Sequence, residues 1–561
     1  MSISLLNKKA LDVLQQTFGY QSYRFKQKEI IESVLSGNDT LALMPTGAGK
    51  SLCYQIPAII SSKKTIVISP LISLMDDQVA ALNECGVQAV KIHSDLPYEA
   101  RISSWNNFKS GKVKIIYLSP EKLMSENIIN ELKTMEVGLF VIDEIHCVSK
   151  WGHDFRPDYN KLSELKTLFP KSNIVGFTAT ADKTTRLDIV ENIFNKNVRV
   201  FISSLDRPNL SLSINQKTNW KNQLVDFLNI RKMQSGIIYC LSRKKTEEVT
   251  SFLINKGFNA SAYHAGLDGQ VRKNVQNTFM TDQAHIVVAT IAFGMGIDKP
   301  DIRFVIHLNL PGSVEAYSQE IGRAGRDGKA SDTLLIYGLD DLVIQRKITE
   351  DSDKESKYKF YDNKRLDYLL SYCETPECRR KVLLSYFDEN SDNCNNCDNC
   401  LNPPSLIDGT ILAQKLLSTI YKTGQFFGQV HIINVLRGSE DKKIIDKGHH
   451  NLSVYGIGND KSKEFWQSFL RQMLAYGHLK INFQKYGAIQ ITNTGVEVLR
   501  NKLKFLYKDI PIKLTKEMVK APKYLNKDLN TEDTALLKNL KFLRLEIAKK
   551  TKPTCFHGFS R

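Results

Sequence analysis

The sequence predicts an α/β protein: two doubly wound parallel-sheet lobes in tandem, then a small cysteine-rich module and a domain of helices closed by a β-hairpin. Three observations carry this. Apolar runs of buried-strand length alternate with helical patterns over residues 1–205, and the alternation restarts over residues 206–345. Five of the ten cysteines (Cys373, Cys378, Cys394, Cys397 and Cys400) crowd into one short stretch. Leu479, Ile481 and Phe483 alternate with polar residues on one side of Tyr486-Gly487, and Ile489 and Ile491 on the other, as hairpin strands do. A chain of 561 residues has room for several cores.

A net charge of +17 and a pI near 9.2 favour a polyanionic partner, of which nucleic acid is the commonest. The longest apolar stretches fall short of the 18 residues of a membrane span. The start, Met1-Ser2-Ile3-Ser4, has no apolar signal core, so the chain reads as intracellular. In a reducing compartment, clustered cysteines mean metal before disulfide.

In the first lobe, Phe18 to Gln27 precedes a helix. The Gln27 carboxamide suits adenine N6 and N7, while Tyr20 or Arg24 can stack on the base, which predicts ATP over GTP. Thr40-Leu41-Ala42-Leu43 runs into Met44-Pro45-Thr46-Gly47-Ala48-Gly49-Lys50-Ser51 and then a helical pattern. Strand, glycine loop and helix form a phosphate cradle: N–H groups of Thr46, Gly47, Ala48 and Gly49 wrap the β-phosphate, Lys50 reaches the β/γ oxygens, and Ser51 ligates Mg²⁺. Met44 stands where the strict pattern wants glycine. The turns Ser69-Pro70-Leu71 and Tyr117-Leu118-Ser119-Pro120 offer hydroxyls at helix starts, suited either to nucleic-acid phosphates or to ordinary capping.

Val137 to Ile142 is a buried strand that ends in Asp143-Glu144-Ile145-His146. Carboxylates at such a strand end sit where open α/β sheets bind ligands; Asp143 can hold Mg²⁺ and Glu144 can orient a water against a γ-phosphate. Trp151, Phe155 and Arg156 follow directly, as in a nucleic-acid sensor wired to the hydrolytic site. Gly176 to Ala181 is a strand ending in two hydroxyls, Thr178 and Thr180, able to bridge the acidic strand to the second lobe.

The second lobe has no lysine cradle and must offer cations to the first. Gln319 to Gly328 does so. Arg323 and Arg326, three apart, are expected on one face of a helix, with Arg326 as the arginine finger.

Taken in order, Gln27, the cradle, Asp143 to His146, the aromatic-rich loop, Thr178-Ala179-Thr180, Ala289 to Asp298 and Gln319 to Gly328 resemble the RecQ family of DNA helicases within superfamily two. The resemblance covers residues 10 to about 500. It implies RecA-like lobes at 1–205 and 206–345, a zinc-binding module at 346–403, a winged-helix domain at 404–510, and 3′-to-5′ unwinding of DNA driven by ATP with Mg²⁺. It further implies a role in repair and recombination within the SOS response, a monomer in the bacterial cytoplasm associated with the nucleoid, and single-strand-binding protein and other repair factors among the partners. Cys378, Cys394, Cys397 and Cys400 match the family's structural zinc ligands, leaving Cys373 spare. Tyr486, at the hairpin tip, either stacks on the last base pair of an opening duplex or is an exposed tyrosine with no such task. Residues 511–561 carry 12 Lys+Arg against 5 Asp+Glu. Their one amphipathic pattern, Leu536 to Pro553, resembles the first helix of the helical nucleic-acid-binding domain that ends many members of the family, and since one helix cannot bury its own face, a truncated or absent third auxiliary domain is expected. An RNA helicase and a non-catalytic DNA-binding regulator are the rival readings.

Overall fold

The computed structural model describes residues 3–149, 155–282, 285–294, 297, 299–352, 354–482 and 488–508. Trp151, Asp298, Tyr486 and the tail from 509 onward therefore lie outside the described residues.

Seven parallel strands form the first sheet: β1 (Thr40–Leu43), β2 (Lys64–Ile68), β3 (Ala89–Ile92), β4 (Ile115–Leu118), β5 (Val137–Ile142), β6 (Asn173–Thr178) and β7 (Arg199–Ile202), in spatial order β3-β4-β2-β5-β6-β1-β7. Helices cover both faces, so inner strands such as β1 and β4 are buried at every residue and read as unbroken apolar runs. The order has one consequence for function. β5, β6 and β1 lie side by side, and because they are parallel, the loops after Ile142, Thr178 and Leu43 leave along one edge.

The second sheet holds β8 (Leu210–Gln216), β9 (Gly236–Tyr239), β10 (Ala260–Tyr263), β11 (Ile286–Ala289), β12 (Phe304–His307) and β13 (Ser331–Tyr337), all parallel, in order β10-β11-β9-β12-β13-β8. β8 opens this lobe, ahead of the wholly buried apolar run of β9. It is an edge strand, burying Leu210, Leu212 and Ile214 and half-exposing the serines between them.

Helix Ser356–Glu374 leads into the cysteine module. Helices Thr410–Lys422, Gln429–Arg437 and Lys463–Ala475 lie between β14 (Leu406–Asp408) and the hairpin of β15 (Leu479–Asn482) with β16 (Ala488–Ile491), and β14 pairs antiparallel with the later β17 (Leu506–Lys508). The β15–β16 register pairs Leu479 with Ile491 and Ile481 with Ile489, as the alternation predicts. One continuous apolar core runs from β8 through Leu366, Leu370, Cys373 and Cys397 to Trp466 and Tyr507. The first lobe has separate cores on the two faces of its own sheet.

Candidate active site

The phosphate loop closes β1 and starts helix Leu52–Ile60, with Ser51 at that helix's N-terminal end. Gly47 and Gly49 have φ of +83° and +75°, where a side chain would be strained. A Cβ on Gly49 would fall 2.5 Å from Gln27 Nε2, so the loop's tightness needs glycine twice over. Lys50 Nζ lies 3.8 Å from Glu144 Oε1, which joins the cradle to the acidic strand end.

The Asp143 N–H still donates to Ile68 O at 2.9 Å, so the ladder runs to the last residue before the turn. Glu144 then adopts φ 48° and ψ 47°, a left-handed conformation that costs a non-glycine residue of order 1–2 kcal/mol and recurs at functional sites. Its N–H donates to Asp143 Oδ1 at 3.0 Å. Burial, and then the neighbouring Glu144 carboxylate, push the Asp143 carboxyl up to about 6, with Lys50 partly opposing them. Two carboxylates in so dry a place suit a divalent cation, whose charge relieves both effects. His146 Nδ1 stands 2.9 Å from Thr178 Oγ1 and 3.3 Å from Glu144 Oε2, and the Thr180 N–H donates to Thr178 Oγ1 at 3.2 Å. The acidic strand end is thus wired to the hydroxyl strand end beside it.

The second lobe contributes its arginines differently from the helical expectation. Helix Val314–Ile321 ends before them, and residues 322–328 form turns with Gly325 at φ +57°. Arg323 and Arg326 therefore diverge instead of sharing a helix face. Arg323 is buried and donates to Gly294 O inside its own lobe. Arg326 crosses to the first lobe: a Cβ on Gly47 would meet its Cγ at 3.2 Å, so its stem lies on the phosphate loop. A residue that the sequence did not single out, Arg207, stands between them. Its guanidinium donates to Thr46 O at 3.3 Å, Gly322 O at 3.1 Å, Ala324 O at 2.9 Å and Gly325 O at 2.8 Å.

Gln27 is buried, and its carboxamide is already engaged: Oε1 accepts from the Arg24 N–H at 2.8 Å, while Nε2 donates to Ala48 O at 3.0 Å and Gly49 O at 3.2 Å. Arg24 lies over the Tyr20 ring at 5.6 Å, at the surface. The three residues thus form one patch against the cradle. Of the aromatic-rich loop, Phe155 is half-buried and Arg156 Nη1 donates to Pro70 O at 3.0 Å, tying this loop to the turn after β2. Ser119 acts as a cap, accepting from the Lys122 N–H at 3.3 Å.

Sγ atoms of Cys378, Cys394, Cys397 and Cys400 all lie within 4.8 Å of one another, as tetrahedral ligation needs. Backbone N–H groups point at the sulfurs: Cys394 N to Cys378 Sγ at 3.3 Å, Arg379 N to Cys397 Sγ at 3.4 Å and Asn396 N to Cys394 Sγ at 3.4 Å. Burial opposes ionisation of Cys378, but N–H donors from Lys381 and Cys394 prevail and bring it down to about 7. Burial pushes Cys397 and Cys400 up. Four sulfurs so close ionise together only around a cation, and this donor set fits zinc. Cys373 is buried in the apolar core and is not one of the four clustered sulfurs.

Compared with known families, residues 24–188 match the DEAD/DEAH box helicase domain, 219–328 the helicase conserved C-terminal domain, 339–401 the RecQ zinc-binding domain and 403–514 the RQC domain. The chain is 44% identical over 547 residues to ATP-dependent DNA helicase RecQ of Pasteurella multocida, a match spanning 97% of this chain and 86% of that relative. It is 36% identical over 555 residues to ATP-dependent DNA helicase RecQ of Bacillus subtilis, spanning 98% and 91%. Among solved structures, DEAD-box helicase Mss116 bound to ssRNA superposes with a TM-score of 0.51 at 18% identity, over 68% of this chain and 92% of that one, a likeness of fold alone.

Proposed function

Because the chain belongs to the RecQ family of ATP-dependent DNA helicases, we propose that it hydrolyses ATP to move 3′ to 5′ along single-stranded DNA and to separate duplex DNA in repair, recombination and replication-fork processing. The observation that carries this reading is Arg326 of one lobe lying on Gly47 of the other, because a site completed across two lobes makes hydrolysis depend on how the lobes sit. Lys50 and the N–H groups of Thr46 to Ser51 hold the β- and γ-phosphates, and Tyr20, Arg24 and Gln27 take the adenine. Ser51 and Asp143 would hold Mg²⁺, which when bound would draw charge from the phosphate oxygens. Glu144 orients the attacking water, and His146 fixes Glu144 relative to Thr178. Arg326 meets the charge on the transferring group, a contribution typically worth 10³–10⁵ in rate, while Arg323 braces its turn from within the second lobe. Trp151, Phe155 and Arg156 report bound single strands to Glu144, and Tyr486 meets the duplex.

The functional partition that goes with these roles is 1–205 and 206–345 for the motor, 346–403 for the zinc module, 404–510 for the winged helix and 511–561 for a basic tail. Partners are single-stranded and duplex DNA, together with single-strand-binding protein; the chain acts as a monomer in the bacterial cytoplasm, near the nucleoid. The bacterial relatives and the net charge of +17 support DNA as the partner. Strand displacement on 3′- and 5′-tailed duplexes, with and without ATP, tests the reading. Unwinding only of the 3′-tailed DNA and only with ATP is expected; displacement without ATP, or stimulation of hydrolysis by RNA alone, sinks it.

A further inference from the structure

We propose that Arg207, in the segment joining the lobes, is a positioning residue for ATP hydrolysis: its guanidinium ties the phosphate loop to the arginine turn and so sets Arg326 over Gly47. The inference rests on the reading of Arg326 as the finger.

The segment Asp206-Arg207-Pro208-Asn209 lies between β7 and β8, where a plain tether would suffice. Its side chains instead converge on the turn that bears Arg326. One guanidinium nitrogen of Arg207 is shared between Thr46 O at 3.3 Å and Gly322 O at 3.1 Å; the other is shared between Ala324 O at 2.9 Å and Gly325 O at 2.8 Å. Asn209 Nδ2 adds bonds to Gly325 O and Lys329 O, both at 2.9 Å. A Cβ at Gly325 would fall 2.5 Å from Asn209 Nδ2 and 2.7 Å from Lys329 O, so the turn is closed tightly around this clamp. Asp206 in turn accepts from Arg380 of the zinc module at 2.7 Å, anchoring the segment on its other side.

All four acceptors of Arg207 are main-chain carbonyls, and among the described residues no carboxylate pairs with it. Burial, followed by the charge of Arg326 nearby, lowers its guanidinium, with the Asp327 carboxylate partly opposing them. A cation kept in a site that disfavours it, with its fork spent on backbone oxygens of two lobes, suits a clamp better than a surface pair. Only arginine offers donors in a rigid fork; lysine is a point charge that cannot span four carbonyls. Misplacing a catalytic group by about 1 Å can cost roughly 10² in rate, and Arg207 fixes the turn one residue before Arg326.

The test is a double-mutant cycle in the full chain with single-stranded DNA present. Arg207→Ala and Arg207→Lys should each lower kcat by about 10²-fold while leaving KM for ATP and the melting midpoint near the wild type. In an Arg326→Ala background, Arg207→Ala should cause no further loss, because its effect passes through Arg326. Full activity of Arg207→Lys would show that charge and not the fork is needed, which overturns the proposal. Multiplicative losses in the cycle would show that Arg207 acts on the phosphates by itself, which also overturns it. Normal hydrolysis by Arg326→Ala alone would mark failure of the finger reading, and the proposal would fall with it.

Discussion

Glu374 predicts how firmly the winged-helix domain is fixed to the motor. It ends helix Ser356–Glu374 and is 1% exposed, at the junction of three domains. Its Oε1 accepts from Tyr337 of β13 and, at 3.1 Å, from Arg471 Nε of helix Lys463–Ala475; its Oε2 lies 3.9 Å from Lys508 Nζ in β17. Glu374→Ala removes the anion and leaves two cations in a dry junction. Lys508, already lowered by burial, can shed its proton, but an arginine cannot, so the cost concentrates on Arg471. Removing one partner of a buried pair typically costs about 3–5 kcal/mol. At about 2 °C per kcal/mol, the factor for large cooperative units, the melting midpoint should fall by roughly 6–10 °C. Thermal unfolding of zinc-loaded protein, followed by fluorescence or calorimetry, reads this directly. Arg471→Met should rescue part of the loss in the Glu374→Ala background, since it removes the orphaned charge. Unwinding should suffer more than DNA-stimulated ATP hydrolysis, because the nucleotide site lies in the lobes. A midpoint within about 2 °C of the wild type, or a double variant no more stable than the single, would refute the reasoning.

Arg326→Ala should lower kcat by roughly 10³-fold or more while ATP binding, read by a fluorescent nucleotide, is largely spared; Lys50→Ala should abolish hydrolysis. Cys397→Ser should break the four-sulfur cluster and yield poorly folded protein, since structural zinc binding is folding free energy; a soluble, zinc-free and fully active variant would contradict this. Trp151→Ala should keep fold and ATP affinity but lose most stimulation by single-stranded DNA, and parallel loss of basal rate and melting temperature would mark it as a core residue.

How much of this was legible in the sequence follows from where the information sits. The cradle, Asp143-Glu144 and Thr178 could be read because each ends an apolar run, and parallel strands bring such ends to one edge. The four sulfurs could be read because their spacing is local. The pairing of Arg323 with Arg326 misled, since three-residue spacing implies a shared face only while the helix continues, and Gly325 at φ +57° ends that logic. Arg207 was invisible for another reason: its partners are carbonyls, which every residue carries and no pattern marks. β8 is harder to read because, as an edge strand, it alternates buried and half-exposed residues and lacks the unbroken apolar run of a central strand. Glu374 meets residues about a hundred positions away, beyond the reach of any local motif.

The two kinds of boundary in the molecule suggest where it moves. From β8 to β17 a continuous apolar core joins the second lobe, the zinc module and the hairpin-bearing domain. Such cores are close-packed and do not slide by small increments. The first lobe meets the rest through polar contacts that include the Arg207 bond to Thr46 O, Arg186 with Asp388, and Arg365 Nη2 with Asp182 Oδ2 at 3.2 Å. Polar contacts of this kind exchange with water at a net cost of about 1 kcal/mol each. Parting the first lobe from the rest is therefore far cheaper than detaching the zinc module or the winged helix. Arg207 and Arg326 converge at this polar boundary, and their like charges repel. A triphosphate relieves that repulsion only while the lobes are together, so nucleotide occupancy and lobe closure favour one another. Loss of the γ-phosphate removes part of the attraction that holds the boundary shut, which gives hydrolysis a direct route to motion.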